Sequence, residues 1–289
     1  MNNRCVKGRF APSPTGRMHL GNVFSAMVSW LSARSRGGGW VLRIEDLDPQ
    51  RSRMEYARQI EDDLAWLGLD WDEGGVDGAG EAGPYCQSMR GAEYEAALER
   101  LMATGLLYRC RCTRATQAPH QSDGRVVYAG TCRPAAAPPF GDCGGEGAVR
   151  LWVPDREIEF DDRLFGHHSV NLAGHCGDFV LRRADGAWAY QLAVVVDDAA
   201  MGVTEVVRGC DLLLSSAQQI YLYGLLGAEA PAWGHVPLLC NAEGRRLSKR
   251  DQSLSMAELR RTRTAGEILG RLAWLAGLIP EDAPVSARE

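Results

Sequence analysis

Residues 9–21 of the chain have the sequence RFAPSPTGRMHLG, and this stretch decides the fold that we predict. The apolar and β-branched character of residues 6–11 suits a short strand, and Pro12 and Pro14 then stiffen a turn that cannot continue a sheet. Apolar side chains recur at helical spacing over residues 22–33, so a helix should follow. Residues 18–21 would then lie at a helix N-terminus, where unpaired N–H groups and the helix dipole favour phosphate.

His19, at the start of this predicted helix, has two interpretations. It could face a bound nucleotide, or it could simply cap or pack against the helix, as a lone histidine there more often does. A second segment, RLSKR at residues 246–250, favours the nucleotide. Lysine occurs only twice in the chain, at Lys7 and Lys249, so a lysine in this arginine-rich segment suggests a mobile ammonium that contacts phosphate. The alternative is a solvated basic turn. Together the two segments could hold the triphosphate of ATP from opposite sides.

The first segment resembles the signature of the class I glutamyl and glutaminyl tRNA synthetases. His19 to Asn22 stand where that family has the HIGH tetrapeptide, and residues 246–250 stand where it has KMSKS. The resemblance continues in VLRIEDLDPQR at 41–51, YQLAVVVDD at 190–198 and GVTEVVRGCDL at 202–212, and covers about residues 9–251. It implies an ATP-dependent ligase with an α/β fold, in which a Rossmann-like parallel sheet carries an inserted zinc-containing subdomain and a short helical C-terminal region.

Only residues 252–289 follow Asp251, where the resemblance ends, so we expect no helical anticodon-binding domain like that of the charging enzymes. The chain therefore resembles the short members of the family. These attach glutamate to the modified base queuosine in the anticodon of tRNA(Asp). The resemblance implies ATP, L-glutamate and queuosine-containing tRNA(Asp) as partners, activation of glutamate without tRNA, and a monomer.

The resemblance also implies roles for individual residues. His19 and Lys249 would be catalytic, and His19, Gly21, Ser248 and Lys249 would bind ATP with Mg²⁺. Arg9 and Arg208 would contact the carboxylates of glutamate, Glu45 would accept from its ammonium group and Tyr190 would add a hydroxyl, while Ala11 and Ser13 would line the pocket. Guanidinium groups pair well with carboxylates. The alternatives are an ion pair of Arg208 with Asp211 and a surface salt bridge of Glu45. We expect Asp197 and Asp198 to shape the site.

The cysteine pattern is compatible with a zinc site, and the resemblance implies one structural zinc ion per chain. Cys110, Cys112, Tyr128 and Cys132 resemble the zinc site of the short members, in which three thiolates and a tyrosine oxygen surround the metal. Zinc favours four tetrahedral ligands, which a Cys-x-Cys pair and a distant cysteine can partly supply. His120 is the alternative fourth ligand. The remaining six of the nine cysteines are interpreted as buried or incidental thiols.

Composition limits the class of protein. Residues 1–10 contain no apolar signal region, and no stretch approaches the ~20 apolar residues of a membrane helix, so we expect a cytoplasmic protein without membrane contact. The net charge of −5 is unusual for a protein that binds nucleic acid, but two local arginine clusters could contact phosphate. One lies at residues 245–250. The other, at residues 260–263, is more simply a solvated helix face.

Four regions are predicted along the chain. Residues 1–104 would form the first half of the nucleotide-binding domain, 105–183 the inserted zinc subdomain, 184–230 the second half of the catalytic domain, and 231–289 the KMSKS-like loop and C-terminal helices. Helices are predicted at 54–67, 93–103, 215–226 and 265–278, and strands at 40–44, 192–196 and 203–207.

Three departures from the family pattern affect the two motifs. Asn22 replaces the final histidine of HIGH, and Arg246 and Arg250 replace the first and last residues of KMSKS, whereas Lys249 is retained. Three alternatives to the queuosine-directed ligase stay open: a truncated glutamate–tRNA(Glu) ligase, a nucleotidyltransferase acting on a small molecule, and a catalytically silent RNA-binding module.

Overall fold

The computed structural model describes residues 5–78, 80–112, 127–134, 145–240 and 255–289. Within these ranges, the helices and strands follow one another in this order: β1 (Lys7–Phe10), α1 (Leu20–Arg34), β2 (Gly39–Leu42), α2 (Met54–Leu67), β3 (Glu73–Gly74), α3 (Gly91–Met102), β4 (Leu107–Cys110), β5 (Ala148–Leu151), β6 (Glu157–Asp162), β7 (Gly166–Asn171), α4 (Leu172–His175), β8 (Phe179–Arg182), α5 (Tyr190–Ala200), β9 (Glu205–Gly209), α6 (Ser215–Leu225), β10 (Ala232–Val236), α7 (Met256–Thr262) and α8 (Ala265–Leu275).

The chain forms two compact units that interleave along the sequence. The first contains Met1–Met89, Val203–Asp211 and Ala232–Glu289, and the second contains Arg90–Gly202 and Leu212–Pro231. The four-region division predicted from the sequence is a functional partition with other boundaries, and it stays a prediction.

Parallel strands form the centre of the first unit. β1 pairs with β2 and β2 with β3, all parallel, and β9 pairs in parallel with β10. The strand pairs β1–β2 and β9–β10 are joined through Lys7 and Thr204: the backbone N–H of Thr204 donates to the carbonyl of Lys7 at 2.9 Å, and the N–H of Lys7 donates to Oγ1 of Thr204 at 2.9 Å. The parallel α/β architecture predicted from residues 9–21 is therefore confirmed.

The helices of the first unit begin and end where the sequence provides caps. Thr264 and Glu267 form a reciprocal capping box at the start of α8. Gly68 ends α2 with a left-handed backbone at φ 77°, a conformation that costs glycine little. Between its ends, α2 buries one apolar stripe that includes Ile60 and Leu64 in the core of the unit.

The second unit is built on antiparallel pairs. β5 lies between β4 and β8 in a three-stranded sheet, and β6 and β7 form a hairpin with Asp162 opposite Gly166. Helices α3 and α5 pack against each other in the same unit. Cys110, the last residue of β4, and Cys112 and Cys132, which follow that strand, belong to the predicted metal site.

One predicted strand is wrong. Residues 192–196 lie in the helix α5 and do not return to the sheet. The run of leucine, alanine and valines suggested a strand because β-branched residues favour sheets. Leu192, Ala193, Val194 and Val195 are all buried, however, and a helix that is buried on most sides also shows a continuous apolar run.

Candidate active site and metal centre

The turn between β1 and α1 is held by backbone hydrogen bonds at the carboxyl end of the parallel strands. The N–H of Glu45, just after β2, donates to the carbonyl of Pro12 at 3.0 Å. The N–H of Arg53 donates to the carbonyl of Pro14 at 2.9 Å, so the turn is fixed on two sides. This edge of an α/β sheet is where such folds bind ligands.

His19 caps the first helix, as the more ordinary of its two interpretations predicts. Its Nδ1 accepts a hydrogen bond from the N–H of Gly21 at 3.1 Å, and Oδ1 of Asn22 accepts from the N–H of His19 at 3.1 Å. A Cβ at position 21 would lie 3.0 Å from the imidazole ring, so glycine allows this close approach. The amide of Asn22, which departs from the family pattern, completes the capping box. Residues 18–21 thus lie at a helix N-terminus, as predicted.

The chain that follows the second motif is fixed beside His19. Ser255 and His19 form an isolated antiparallel bridge, and the N–H of Met256 donates to the carbonyl of Met18 at 2.9 Å. The motif itself, with Arg246, Ser248, Lys249 and Arg250, lies outside the described residues. Residues 255 and 256, which come soon after the motif in the sequence, therefore lie beside the N-terminus of α1.

Five of the six predicted glutamate-binding residues belong to the first unit. Arg9 on β1 and Arg208 on β9 are buried, at 4% and 5% exposure, although arginine seldom is unless it is paired. Glu45 follows β2, and Ala11 and Ser13 follow β1. The sixth residue, Tyr190, is the first residue of α5 in the second unit.

Glu45 is partly buried. Its Oε1 lies 3.4 Å from Nη2 of the fully buried Arg43, and the exposure of its side chain is 10%. The salt bridge considered as an alternative for Glu45 is therefore present, but its partner Arg43 is buried and the pair does not lie on the surface.

Asp197, which we expect to shape the site, forms a buried ion pair in the second unit. Its Oδ1 accepts from Nε of Arg90 at 2.6 Å, and its Oδ2 accepts from the hydroxyl of Tyr94 at 2.9 Å. Asp197 and Arg90 are 0% and 2% exposed, and the ring of Trp188 packs edge-on against Tyr94. This buried ion pair joins α3 to the helix that starts with Tyr190.

The arginine cluster at residues 260–263 is paired with acidic side chains. Arg260 donates to Asp62 and, at 2.7 Å, to Asp63, and its guanidinium lies 5.0 Å from the ring centroid of Trp66. Arg261 pairs with Glu258, and Arg263 lies 3.8 Å from Glu267. The interpretation as a helix face therefore fits better than a phosphate-binding patch.

The predicted zinc ligands converge in the second unit. Among the described residues, Cys110, Cys112 and Cys132 are the one group of three potential metal ligands whose donor atoms lie close together, all within 4.8 Å. The sulfur atoms of Cys112 and Cys132 are 3.6 Å apart, and Oη of Tyr128 lies 3.4 Å from Sγ of Cys110. A tetrahedral zinc ion with Zn–S bonds of about 2.3 Å requires sulfur atoms about 3.8 Å apart. The donors therefore fit zinc, while His120, the alternative ligand, lies outside the described residues.

Tyr128 is held in place by contacts on its hydroxyl and its ring. The N–H of Cys132 donates to its hydroxyl at 2.8 Å, and the guanidinium of Arg150 lies 3.7 Å from its ring centroid. Arg150 is itself buried and donates to the carbonyl of Asp178 at 2.6 Å. The Asp178 carboxylate accepts from the hydroxyl of Tyr108 at 2.5 Å. The side chains around the cysteines are therefore fixed by a buried polar network.

The electrostatics of the cluster favour one thiolate. Burial opposes ionisation of Cys110, but hydrogen bonds from Tyr128 and Arg150 outweigh it and lower the pKa of this thiol to about 7. For Cys112, the hydrogen bond with Cys132, assisted by burial, raises the pKa. Burial, followed by the hydrogen bond to Cys110, raises the pKa of the Tyr128 hydroxyl. A cluster in which the Cys110 thiol loses its proton near neutral pH suits a divalent cation, because thiol ligands must be deprotonated to bind a metal.

Sequence reasoning missed the residues that hold these side chains. Arg90, Arg150, Asp178 and His235 are all buried and polar, and none belongs to a motif quoted above. His235 accepts from Arg208 and is fully buried on β10. The only sequence signal was weak: a polar residue inside or next to an apolar run, which is expensive to bury without a partner.

No helix of the described residues has the length and apolar character needed to cross a membrane.

Comparison with known proteins places this geometry in a family. The model for the catalytic domain of class I tRNA synthetases (E and Q) matches residues 5–283. Proteins named glutamyl-Q tRNA(Asp) synthetase from Nitratidesulfovibrio vulgaris and Symbiobacterium thermophilum are 50% and 49% identical to the chain, over 98% of it and 90% of each relative.

A solved structure agrees with these sequence matches. The glutamate tRNA ligase of Elizabethkingia meningosepticum, in complex with its amino acid, superposes with a TM-score of 0.84 at 29% identity. The match covers 99% of the chain but spans only 64% of the length of that ligase. The chain therefore belongs to the class I tRNA synthetases of the glutamyl and glutaminyl (E and Q) family, which are ATP-dependent ligases.

Proposed function

We propose that the chain activates L-glutamate with ATP in the absence of tRNA and transfers the glutamyl group to queuosine in the anticodon of tRNA(Asp). The observation that carries this proposal is the 50% identity to a glutamyl-Q tRNA(Asp) synthetase across 98% of the chain and 90% of that relative. The identity to the glutamate tRNA ligase is only 29%, which favours the queuosine-directed activity over a glutamate–tRNA(Glu) ligase.

Activation requires little acid–base chemistry from the protein. The α-carboxylate of glutamate is ionised at neutral pH and can attack the α-phosphorus of ATP directly, which releases pyrophosphate and leaves glutamyl-adenylate. The protein would contribute position and charge. The N-terminus of α1 with His19 and Gly21, together with Ser248 and Lys249, would face the phosphates. Mg²⁺ bound with ATP supplies further positive charge.

The glutamate pocket would use charge complementarity. Arg9 and Arg208 would pair with the carboxylates, and the carboxylate of Glu45 would accept from the ammonium group. Arg9 on β1 and Arg208 on β9 lie near the carboxyl ends of their strands, at the edge of a parallel sheet where such folds bind ligands, which supports this role. Tyr190 would add its hydroxyl, and Ala11 and Ser13 would line the pocket.

Zinc would have a structural role, held by Cys110, Cys112, Cys132 and Tyr128. The distances between these donors match a tetrahedral site. Cys110 is the last residue of β4, and the other three donors follow that strand in the sequence. Bound there, zinc would tie the end of β4 to residues 128–132. The cluster lies in the second unit, and the N-terminus of α1 lies in the first.

Transfer of radiolabelled glutamate tests the proposal in one experiment. The acceptors are tRNA(Asp) from cells that make queuosine, tRNA(Asp) from cells that cannot, and tRNA(Glu). We expect label only on the queuosine-containing RNA. Label on tRNA(Glu) alone would identify a glutamate–tRNA(Glu) ligase instead.

Exchange of labelled pyrophosphate into ATP tests the activation step separately. We expect exchange that depends on glutamate and occurs without RNA. Absence of exchange, together with absence of label on all three RNAs, would support a catalytically silent module.

A further inference from the structure

His235 and Arg208 lie directly opposite each other on neighbouring strands. β10 and β9 are parallel, and their register pairs His235 with Arg208, so the two side chains leave the sheet on the same face. Nε of Arg208 donates to Nε2 of His235 at 3.1 Å. The position of the guanidinium is therefore set by a group on the adjacent strand.

Trp233 completes the support of this arginine. It precedes His235 by two residues and shares its face of the sheet. Its ring centroid lies 5.1 Å from Cζ of Arg208, and its ring stacks on the imidazole with an angle of 18° between the planes. His235 is 0% exposed and Trp233 is 4% exposed, so this support is sealed from water.

The hydrogen bond also determines the chemical form of the histidine. Nε2 can accept only when it carries no proton, so the imidazole must be neutral with its proton on Nδ1. An imidazolium would direct an N–H toward a guanidinium that also donates, and both groups would be cationic. Because Nε of Arg208 is engaged, a carboxylate paired with this arginine would have to meet its terminal Nη nitrogens.

We propose that His235 is a positioning residue for amino-acid recognition: with Trp233, it fixes the guanidinium plane of Arg208 so that the terminal nitrogens meet a carboxylate of the substrate. This inference rests on the proposed function, in which Arg208 binds glutamate. A planar donor pair whose orientation is set before binding loses less freedom when the carboxylate arrives. His235 itself touches no reacting atom.

The test compares the KM values for glutamate and ATP in pyrophosphate exchange. His235→Leu removes the acceptor at similar volume, and we expect the glutamate KM to rise about 10–100-fold, as loss of a hydrogen bond to a charged group predicts. The ATP KM should stay within about twofold of the parent, and kcat should change little. His168→Leu, at a partly buried histidine of the second unit that stacks on Phe160, is the control and should leave both KM values unchanged.

A conservative pair of variants separates positioning from folding. Gln at position 235 can place its amide oxygen near the position of Nε2, whereas Asn carries the same groups on a side chain one methylene shorter. We expect His235→Gln to restore most of the glutamate affinity and His235→Asn to raise the glutamate KM, while their thermal melting temperatures are similar. Equal glutamate KM values in these two variants, or a parallel rise of the KM for ATP, would overturn the inference.

Arg208→Gln distinguishes failure of this inference from failure of the proposed function. If that variant leaves the glutamate KM unchanged, Arg208 does not bind glutamate and the assignment of the pocket is wrong. If it raises the glutamate KM strongly while His235→Leu stays within twofold of the parent, only the inference about His235 is wrong.

Discussion

The buried pair of Arg90 and Asp197 permits a double-mutant cycle with a large expected coupling. Asp197→Asn preserves shape but removes the buried anion beside Arg90, whose other acidic neighbour, Glu93, lies 3.8 Å away and is 38% exposed. Arg90→Met removes the buried cation beside Asp197. The side chains of this pair are 2% and 0% exposed. Breaking one half of a pair buried to this degree typically costs about 3–5 kcal/mol.

The contribution of each contact to this magnitude can be separated. Charge centres about 4 Å apart at an effective dielectric constant of 20 attract by about 4 kcal/mol, which is near the expected cost of either single change. Tyr94→Phe removes one hydrogen bond to the carboxylate and should cost about 1.5–3 kcal/mol. Arg90→Met combined with Asp197→Asn leaves neither charge of the pair behind, so its cost should be well below the sum of the single changes.

Urea unfolding followed by far-ultraviolet circular dichroism measures these free energies of unfolding. The matched control is the exposed pair of Arg183 and Asp185, whose side chains are 48% and 54% exposed. Breaking that pair should change the free energy of unfolding by no more than about 1 kcal/mol. The reasoning is refuted if the single changes at Arg90 and Asp197 each cost less than about 1 kcal/mol, or if their effects add without coupling.

Three further outcomes test the metal centre and the packing. Protein purified without chelator should contain zinc, which Cys110→Ser should lose and Cys86→Ser should retain; equal zinc contents by atomic emission would contradict the site. Arg150→Met should weaken zinc binding about 10–100-fold in competition with a chromophoric chelator, as loss of a group that orients a ligand does, and unchanged affinity would exclude this role. Gly270→Ala places a Cβ 1.8 Å from the carbonyl oxygen of Ala283 and should lower the free energy of unfolding by about 1–3 kcal/mol, whereas Gly224→Ala, with nothing within 4 Å, should raise it by about 0.5–1 kcal/mol. If the free energy of unfolding changes in the same direction in both glycine variants, the contact between the added Cβ and Ala283 does not explain the effect of Gly270→Ala.

Local signals in the sequence located the helices α1, α2, α3, α6 and α8 and the parallel strands β1, β2 and β9, but not α5, β3 or β10. The predicted helix at 54–67 matches α2, and the predicted helix at 215–226 matches α6 to within one residue. In α2 one stripe of side chains is buried and the opposite stripe is exposed, which is the pattern that predicts a helix. The start of α1 was predictable for a different reason, since Pro12 and Pro14 cannot continue a strand.

The sequence could not predict which side chains, far apart along the chain, form ion pairs or hydrogen bonds with each other. Lys7 illustrates this: its ammonium pairs with Glu73 at 2.6 Å, across 66 positions of the chain, and this pair gives one of the two lysines a structural explanation. Arg90 pairs with Asp197 across 107 positions, and Tyr108 with Asp178 across 70. The error at residues 192–196 has the same origin, because what surrounds an apolar run decides between helix and strand.

The cap on the first helix has a consequence for the protonation of His19. Since Nδ1 accepts from the N–H of Gly21, the neutral imidazole must carry its proton on Nε2, and a second proton at Nδ1 would remove the cap. Protonation of His19 and intact capping of α1 are therefore mutually exclusive. An anion that favours the imidazolium form would also loosen the first turn of the helix, so the charge of one ring and the order of one helical turn should change together in a ¹⁵N spectrum.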